Sequence, residues 1–475
     1  MRKYFMILMV LLPLLLSGLT LEEAIDGALA NNHGLQRERE EIEVYNQKYY
    51  AARGMLLPQL SLQGQYRLSR TRIPESSEMD LASVSSRLDD EPENMSAVEG
   101  VIWDNQQTIA EYLDGVLGGL LPESMIKEGS LAGGIQLNQT LFSGGKLLSG
   151  IKIADRVRNM QKDKYKLTRQ EVVYETIRQY YGVKLAKEVL KIQREAMAIA
   201  GEHLADVQEM YAQGLVSEYD KLRAELEYRR LEPEVMKAEQ DLELIQENFC
   251  DYIGCSDLSG IELETEFELP EGEDVLLGSA LEKGLEERIE LQLSELNVRI
   301  QEVLVKMEKA DFYPQIGLTA SYNYYTVTDD YGIEKEDFGT MASVGLGFRL
   351  PLFTGLTRIS EVREAQVKVR QAEESESELQ EMVKLDIRNA WQQLAHSREI
   401  LKVQSENVDL AQRGFEIAEV RYASSQGTEL EIADAQLMLK LAKLSYSKAV
   451  YDVILAETYF MKAMGINLYK TGKEN

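Results

Sequence analysis

The sequence predicts an exported α+β chain made of two copies of one unit, each with very long antiparallel helices and a pair of short alternating strands. Three observations carry this expectation. One apolar stretch is confined to the N-terminus, an internal repeat runs through the chain at fixed offsets, and proline-free helical sequence extends far beyond the 11–12 residues usual in globular domains. Composition narrows the function classes. The 475 residues carry 80 acids against 52 bases, a net charge of −28, which argues against a nucleic-acid partner because phosphate neutralisation needs clustered Lys and Arg. Three His and two Cys leave little material for a metal enzyme or a disulfide scaffold.

Met1-Arg2-Lys3 is basic, Phe5 to Leu16 is apolar apart from Pro13, and Ser17-Gly18 is small. That order is the form of a secretory signal peptide over 1–18. The apolar run falls short of the ~20 residues a transmembrane helix needs. No Cys directly follows Ser17-Gly18, so lipid attachment there is not expected, and no later segment reads as a membrane-spanning helix.

An internal repeat organises the rest of the chain. Leu57-Pro58-Gln59-Leu60 corresponds to Tyr313-Pro314-Gln315-Ile316, and Leu35-Gln36 to Leu291-Gln292, at an offset of 256. Leu141-Phe142-Ser143-Gly144 corresponds to Leu352-Phe353-Thr354-Gly355 at an offset of 211. That offset also relates Tyr211 to Tyr422, Ala224 to Ala435 and Gly254 to Gly465. The difference of 45 places an insertion in the first half. The first repeat therefore covers 19–255, a linker 256–278, the second repeat 279–468, and a tail 469–475.

Each repeat begins with a helix running to its Pro, continues through two strands, and ends in a long helical hairpin. The outgoing helices span roughly 146–210 and 358–420, and the first would be about 100 Å long at 1.5 Å per residue. Such helices must lie side by side, coiled-coil fashion, to bury their apolar stripes. The hairpin tips fall near 211–224 and 422–435. Pro233 is expected to interrupt one return helix with a kink.

The strands fall at about 58–70, 130–142, 314–326 and 340–352. Their apolar positions alternate with polar ones: Leu60 and Leu62; Ile135 and Leu137; Ile316 and Leu318; Val344, Leu346 and Phe348. A half-buried sheet packed on the helices is the ordinary reading. Export, strands of about ten residues and a small, neutral polar face favour a membrane barrel with a wet interior. Four strands cannot close alone, and an open edge in lipid is forbidden, so several chains would have to share one barrel.

At this point the residues resemble a known family. Leu19-Thr20-Leu21-Glu22-Glu23-Ala24, Leu57-Pro58-Gln59-Leu60, Gln139-Thr140-Leu141-Phe142-Ser143-Gly144-Gly145, Tyr211-Ala212-Gln213-Gly214-Leu215-Val216-Ser217 and Leu350-Pro351-Leu352-Phe353-Thr354-Gly355 together resemble the TolC-like outer-membrane efflux and secretion channels. The resemblance spans nearly the whole mature chain. It implies a coiled-coil α-barrel in the periplasm and a twelve-stranded outer-membrane barrel completed by a homotrimer. It also implies an exit duct fed by an inner-membrane transporter and a periplasmic adaptor (membrane fusion protein), in an efflux pump or a type I secretion system. The alternative is a soluble periplasmic coiled-coil scaffold or adaptor. No nucleophile–base pair marks an enzyme, and no cofactor or metal is expected.

By the same resemblance, the tips close the periplasmic end and meet the adaptor. Asp220, Glu431 and Asp434 are candidate gate carboxylates, Glu431 and Asp434 sharing a helix face at a spacing of three. Gly214, Leu215, Val216, Ser217, Gly427 and Thr428 are candidate adaptor contacts. Some relatives carry a basic residue just after the second tip; Ser425-Gln426-Gly427 has none. The ordinary reading of all these positions is a solvated helix end.

The remaining features are less specific. His33, His203 and His396 are scattered and read as surface or helix-face residues rather than ligands, and Trp391, which stands where Tyr181 stands in the first half, as core or helix-seam packing. Cys250 and Cys255 would diverge on a straight helix, so packing thiols are expected rather than a bridge, which needs the chain to turn near Gly254. The insertion at 72–128 holds 13 acids and two bases from Pro74 to Glu128 and reads as a charged loop outside the cell.

Overall fold

The structure is a computed structural model that describes residues 18–68, 129–255, 263, 275–328, 338–424 and 426–469. Residues 1–17, where a signal peptide is expected, the insertion at 72–128, most of the linker and the tail beyond residue 469 lie outside the described residues.

The first repeat opens with helices α1 (Leu21–Asn31) and α2 (His33–Gly54), followed by strands β1 (Gln59–Leu68) and β2 (Gly129–Ser143). Helices α3 (Lys146–Ala212) and α4 (Glu218–Ile253) form its long hairpin. The second repeat is α5 (Leu277–Glu287), α6 (Ile289–Ala310), β3 (Gln315–Thr328), β4 (Gly339–Arg349), α7 (Thr357–Ala423) and α8 (Glu429–Ala463). Both outgoing helices are 67 residues long. Where one helix was expected before each Pro there are two. The breaks, at Asn32 (ψ 115°) and Arg288 (ψ 121°), are again 256 residues apart. Pro233 does not interrupt α4, which stays helical throughout. It sits on an exposed face beside exposed Arg229, so the carbonyl freed by the missing N–H meets water.

The duplication is visible in the backbone. Gly254 and Gly465, 211 apart, both end return helices at φ +73°. A Cβ on Gly254 would lie 2.4–2.7 Å from the Asn31 side chain, and one on Gly465 2.9–3.0 Å from Glu287 and Arg288. In each repeat the return helix thus ends in a left-handed residue pressed against the break in the opening helix pair, a place only glycine fits. Asn31 reinforces the first contact by donating to the Ile253 carbonyl at 2.9 Å.

The described residues divide into two compact units. One draws on residues up to 40, 163–292 and from 377 onward. Its centre is Tyr180, Phe249 and Ile387, each 0 % exposed, packed with Val173, Val453 and Phe460. The Tyr180 and Phe249 rings meet edge to face at 6.1 Å, and the Tyr180 hydroxyl donates to the Leu19 carbonyl at 3.1 Å. Each such burial contributes about 1.5–3 kcal/mol. Trp391 packs on this core as expected, its indole N–H donating to the Val275 carbonyl at 3.3 Å.

The other unit, residues 41–162 and 293–376, contains the sheet. Its order is β1-β2-β3-β4, antiparallel throughout, so β1 and β4 each have one edge without a partner strand among the described residues. The register sets Leu62 opposite Ile135 and Ile135 opposite Tyr322; on the other side of β3, Leu318 faces Leu346 and Ile316 faces Phe348. The four apolar rows therefore share one face. A bulge between Thr140 and Phe142 inserts Leu141 and returns Phe142 to that face opposite Ile316. On the opposite face Ser321 meets Ser343, hydroxyl to hydroxyl at 2.9 Å, and Gln136 donates to Asn138 at 3.2 Å. Among the described residues most of the apolar face is uncovered: Leu60, Leu62, Ile135, Val344, Leu346 and Phe348 are all exposed, Leu62 at 82 %, while Leu137, Ile316 and Leu318 are half-buried. Among the described residues no helix is long and apolar enough to cross a membrane.

Two β-to-α turns converge on Asp311, just past the end of α6. After β2, the Lys146 ammonium pairs with the Asp311 carboxylate at 3.2 Å. After β4, the Arg358 guanidinium donates to the Asp311 carbonyl at 2.8 Å, the Pro351 carbonyl at 2.9 Å and the Thr354 hydroxyl at 3.0 Å. The turns also differ at their second left-handed position. The first repeat uses Gly145 (φ +90°), whereas the second places Leu356 at φ +72°, a conformation that costs a side-chain-bearing residue about 1 kcal/mol.

Cys250 and Cys255 form a disulfide, contrary to the expectation of free packing thiols. The left-handed Gly254 turns the chain back at the helix end, Cys255 N–H donating to the Cys250 carbonyl at 2.9 Å, and this brings together side chains that would diverge on a straight helix. Protein purified without reductant is expected to resist thiol alkylation. Cys250→Ser should lower unfolding stability by about 2 kcal/mol, the loop-entropy value for so short a ring, measured by thermal denaturation with and without reductant.

Candidate functional site at the hairpin tips

The first tip runs from α3 through Gln213 to Ser217 into α4. Gly214 adopts φ +73° and closes α3, with Leu215 N–H reaching back to the Met210 carbonyl at 2.9 Å. Ser217 caps α4. Its hydroxyl accepts from Asp220 N–H at 3.2 Å, while the Asp220 carboxylate accepts from Ser217 N–H at 3.1 Å and from the Ser217 hydroxyl at 2.6 Å. Asp220 is therefore engaged in a capping box. Beyond this cap the tip is apolar and open: Leu215, Tyr219, Leu222 and Leu226 are exposed, and Val216 is half-buried.

The second tip repeats the plan with changes. Thr428 stands where Ser217 stands and caps α8, accepting from Glu431 N–H at 3.3 Å. Glu431 occupies the position of Asp220. Its carboxylate lies 3.6 Å from Arg421, whose guanidinium also donates to the Gln426 carbonyl at 3.2 Å. The base sought after the tip is thus supplied before it, within the same chain. Gly427 packs close to Arg421 and Tyr422 and donates its N–H to the Arg421 carbonyl at 3.0 Å. Asp434 is exposed and has no ion pair among the described residues.

The structure also assembles a group that sequence reading missed. Glu429, first residue of α8, has a side chain only 5 % exposed, and the imidazole Nε2 of His203 on α3 lies 2.7 Å from its carboxylate. The Tyr422 ring meets the His203 ring edge on at 4.9 Å. The enclosed Tyr422 hydroxyl faces Glu429 without reaching full hydrogen-bond geometry. Burial, then the charge of Glu429, with smaller contributions from Asp220 and Asp206, pushes the phenol up to about 12. Phe415, Ile432 and Leu439 seal the cluster from below. His203 is therefore half-buried on the α3 face that meets α8, not at the open surface. Lys443–Glu195 at 3.1 Å and the Lys462–Glu171 pair continue the α3–α8 seam in antiparallel order, and buried Lys440 bonds Glu234 of α4 at 2.7 Å.

The two capping pairs were readable as Ser-x-x-Asp and Thr-x-x-Glu. Nothing in the sequence distinguished buried Glu429 from exposed Glu218, its equivalent in the first repeat. Among the described residues no three His, Cys, Asp or Glu side chains converge as a metal site.

Comparisons with known proteins agree with this architecture. The family model described as outer membrane efflux protein matches residues 124–254 and 280–466. The chain is 23 % identical over 332 residues to the outer membrane efflux protein BepC of Brucella suis, covering 70 % of this chain and 71 % of that protein. It is 22 % identical over 351 residues to the outer membrane protein TolC of Escherichia coli, covering 72 % and 70 %. Its fold superposes on the crystal structure of the Campylobacter jejuni CmeC outer membrane channel with a TM-score of 0.70 at 17 % identity, covering 94 % of this chain and 85 % of that one.

His203→Ala should destabilise the protein by about 2–3 kcal/mol, because it leaves the Glu429 carboxylate buried without its partner. Asp434→Ala, on an exposed face, should stay within about 0.5 kcal/mol of wild type. Denaturant unfolding in detergent measures both.

Proposed function

Because the chain belongs to the outer membrane efflux protein family, we propose that three copies of it join their sheets edge to edge into one barrel and that their tips form a cation-attracting gate. The protein is an outer-membrane exit duct for efflux, with its helical portion in the periplasm. This sets aside the soluble periplasmic scaffold, and members of the family are transport channels rather than enzymes. The observation that carries the trimeric reading is the sheet: one largely exposed apolar face, one polar face, and two edges without a partner strand among the described residues. In lipid such edges must be paired, and another copy supplies complementary ones.

On this reading Leu60, Leu62, Ile135, Leu137, Ile316, Leu318, Val344, Leu346 and Phe348 face acyl chains, and the Ser321–Ser343 face lines water. A periplasmic adaptor meets the tips at Gly214, Leu215, Val216, Ser217, Gly427 and Thr428, and an inner-membrane transporter delivers the cargo. The open apolar patch around Leu215 supports the adaptor contact. Glu431 and Asp434 from each copy would ring the opening, lowering the energy of a cation and resisting anions. Asp220 would add its charge from within its capping box, where it also holds the tip in shape.

Two experiments test the reading. In planar bilayers the double variant Glu431→Ala, Asp434→Ala should need about tenfold more trivalent cation for half-block, equivalent to ~1.4 kcal/mol; unaltered block would remove these residues from the gate. Val344→Lys should impair assembly in the outer membrane, since a charge at mid-depth on a barrel's lipid face costs about 2–4 kcal/mol, whereas Ser343→Lys should be tolerated. Equal yields of the two in membrane fractions would contradict the assigned faces.

A further inference from the structure

The turn between β4 and α7 carries some of the most exposed apolar side chains of the described chain. Leu352 is 87 % exposed, Phe353 80 % and Leu356 63 %. This turn is not a loose loop. The guanidinium of Arg358 fastens it to Pro351, Thr354 and Asp311 and lies over the Phe312 ring at 4.9 Å. Gly355 and Leu356 hold consecutive left-handed conformations. A leucine fixed in a conformation suited to glycine, with its side chain directed into open space, is unfavourable on its own account. The equivalent of Leu356 in the first repeat is Gly145, which has no side chain to present, and the equivalents Leu141 and Phe142 are less exposed, at 54 % and 43 %.

We propose that Leu352, Phe353 and Leu356 form a preorganised wedge that inserts into the periplasmic leaflet of the outer membrane and fixes the depth of the barrel against its phospholipids. Three observations select lipid as the occupant. Exposed Leu350 and Leu352 follow directly in the chain on exposed Val344, Leu346 and Phe348, so the turn begins where the apolar strand β4 ends, at Arg349. The turn leads from a strand into a helix of the periplasmic portion, which puts it at the inner boundary of the bilayer. Exposed Phe312 and Tyr313 on the neighbouring α6–β3 turn supply the aromatic side chains that favour such a boundary. The inference rests on the lipid-facing assignment of the sheet.

The test uses the full-length protein reconstituted in phosphatidylethanolamine–phosphatidylglycerol vesicles. Single cysteines introduced by Phe353→Cys or Leu346→Cys are labelled with an environment-sensitive fluorophore, the native pair being bonded to each other. The vesicles contain lipid doxyl-labelled either near the glycerol or deep in the chain. The label at 353 should emit in the blue and be quenched most by the shallow doxyl, while that at 346 should be quenched most by the deep one. A blue but unquenched label at 353 would mean that another copy of the chain covers the turn. A red, unquenched one would mean that it faces water. Either outcome, with 346 still quenched, overturns the wedge and leaves the barrel standing, whereas loss of quenching at both sites overturns the lipid face itself. Where Phe353→Cys does not assemble, Leu352→Cys reads the same surface.

Discussion

A β-strand at the edge of a sheet leaves a row of peptide N–H and C=O groups that must find partners. In water they hydrate; in hydrocarbon each orphaned group costs several kcal/mol. Among the described residues this chain builds a sheet with two such edges and leaves most of its apolar face uncovered. Water suits the edges and not the face, and lipid suits the face and not the edges. Closure with further copies satisfies both at once. The proposed assembly and the wet interior proposed for the duct both rest on that one conflict.

Duplication is how the chain reaches this arrangement. The left-handed glycines at 254 and 465, the helix breaks at Asn32 and Arg288, and the capping pairs at 217/220 and 428/431 are the same solutions used twice. Where the copies diverge, function is the more economical explanation. One tip keeps its acid in a capping box. The other aims the equivalent acid at Arg421 and buries Glu429 against His203. One β-to-α turn has glycine at its second left-handed position, and the other has an exposed leucine.

Much of the fold could be read in the sequence because its signals are periodic and long. Two proline-free runs predicted the outgoing helices to within a few residues, and period-two alternation assigned the strands to one face as the register has it. Single-residue events were less legible. The break at Asn32 has no Pro or Gly next to it. The bulge at Leu141 is invisible in a run whose alternation simply stops. The Cys250–Cys255 bridge depended on the handedness of one glycine. At the tips, spacing located the acids, but their use is decided by neighbours distant in sequence. His203 and Glu429 are 226 residues apart, and no local pattern marks them as a pair.

Everything turns on the sheet being incomplete in a single chain. Electron cryo-microscopy of the detergent-purified, full-length protein examines this without intermediaries, because it shows copy number and strand closure together. Closure by copies requires three chains around one axis with a continuous ring of strands and β1 of one copy hydrogen-bonded to β4 of the next. A water-soluble single chain whose four strands remain open, or fold back on their own helices, would refute it.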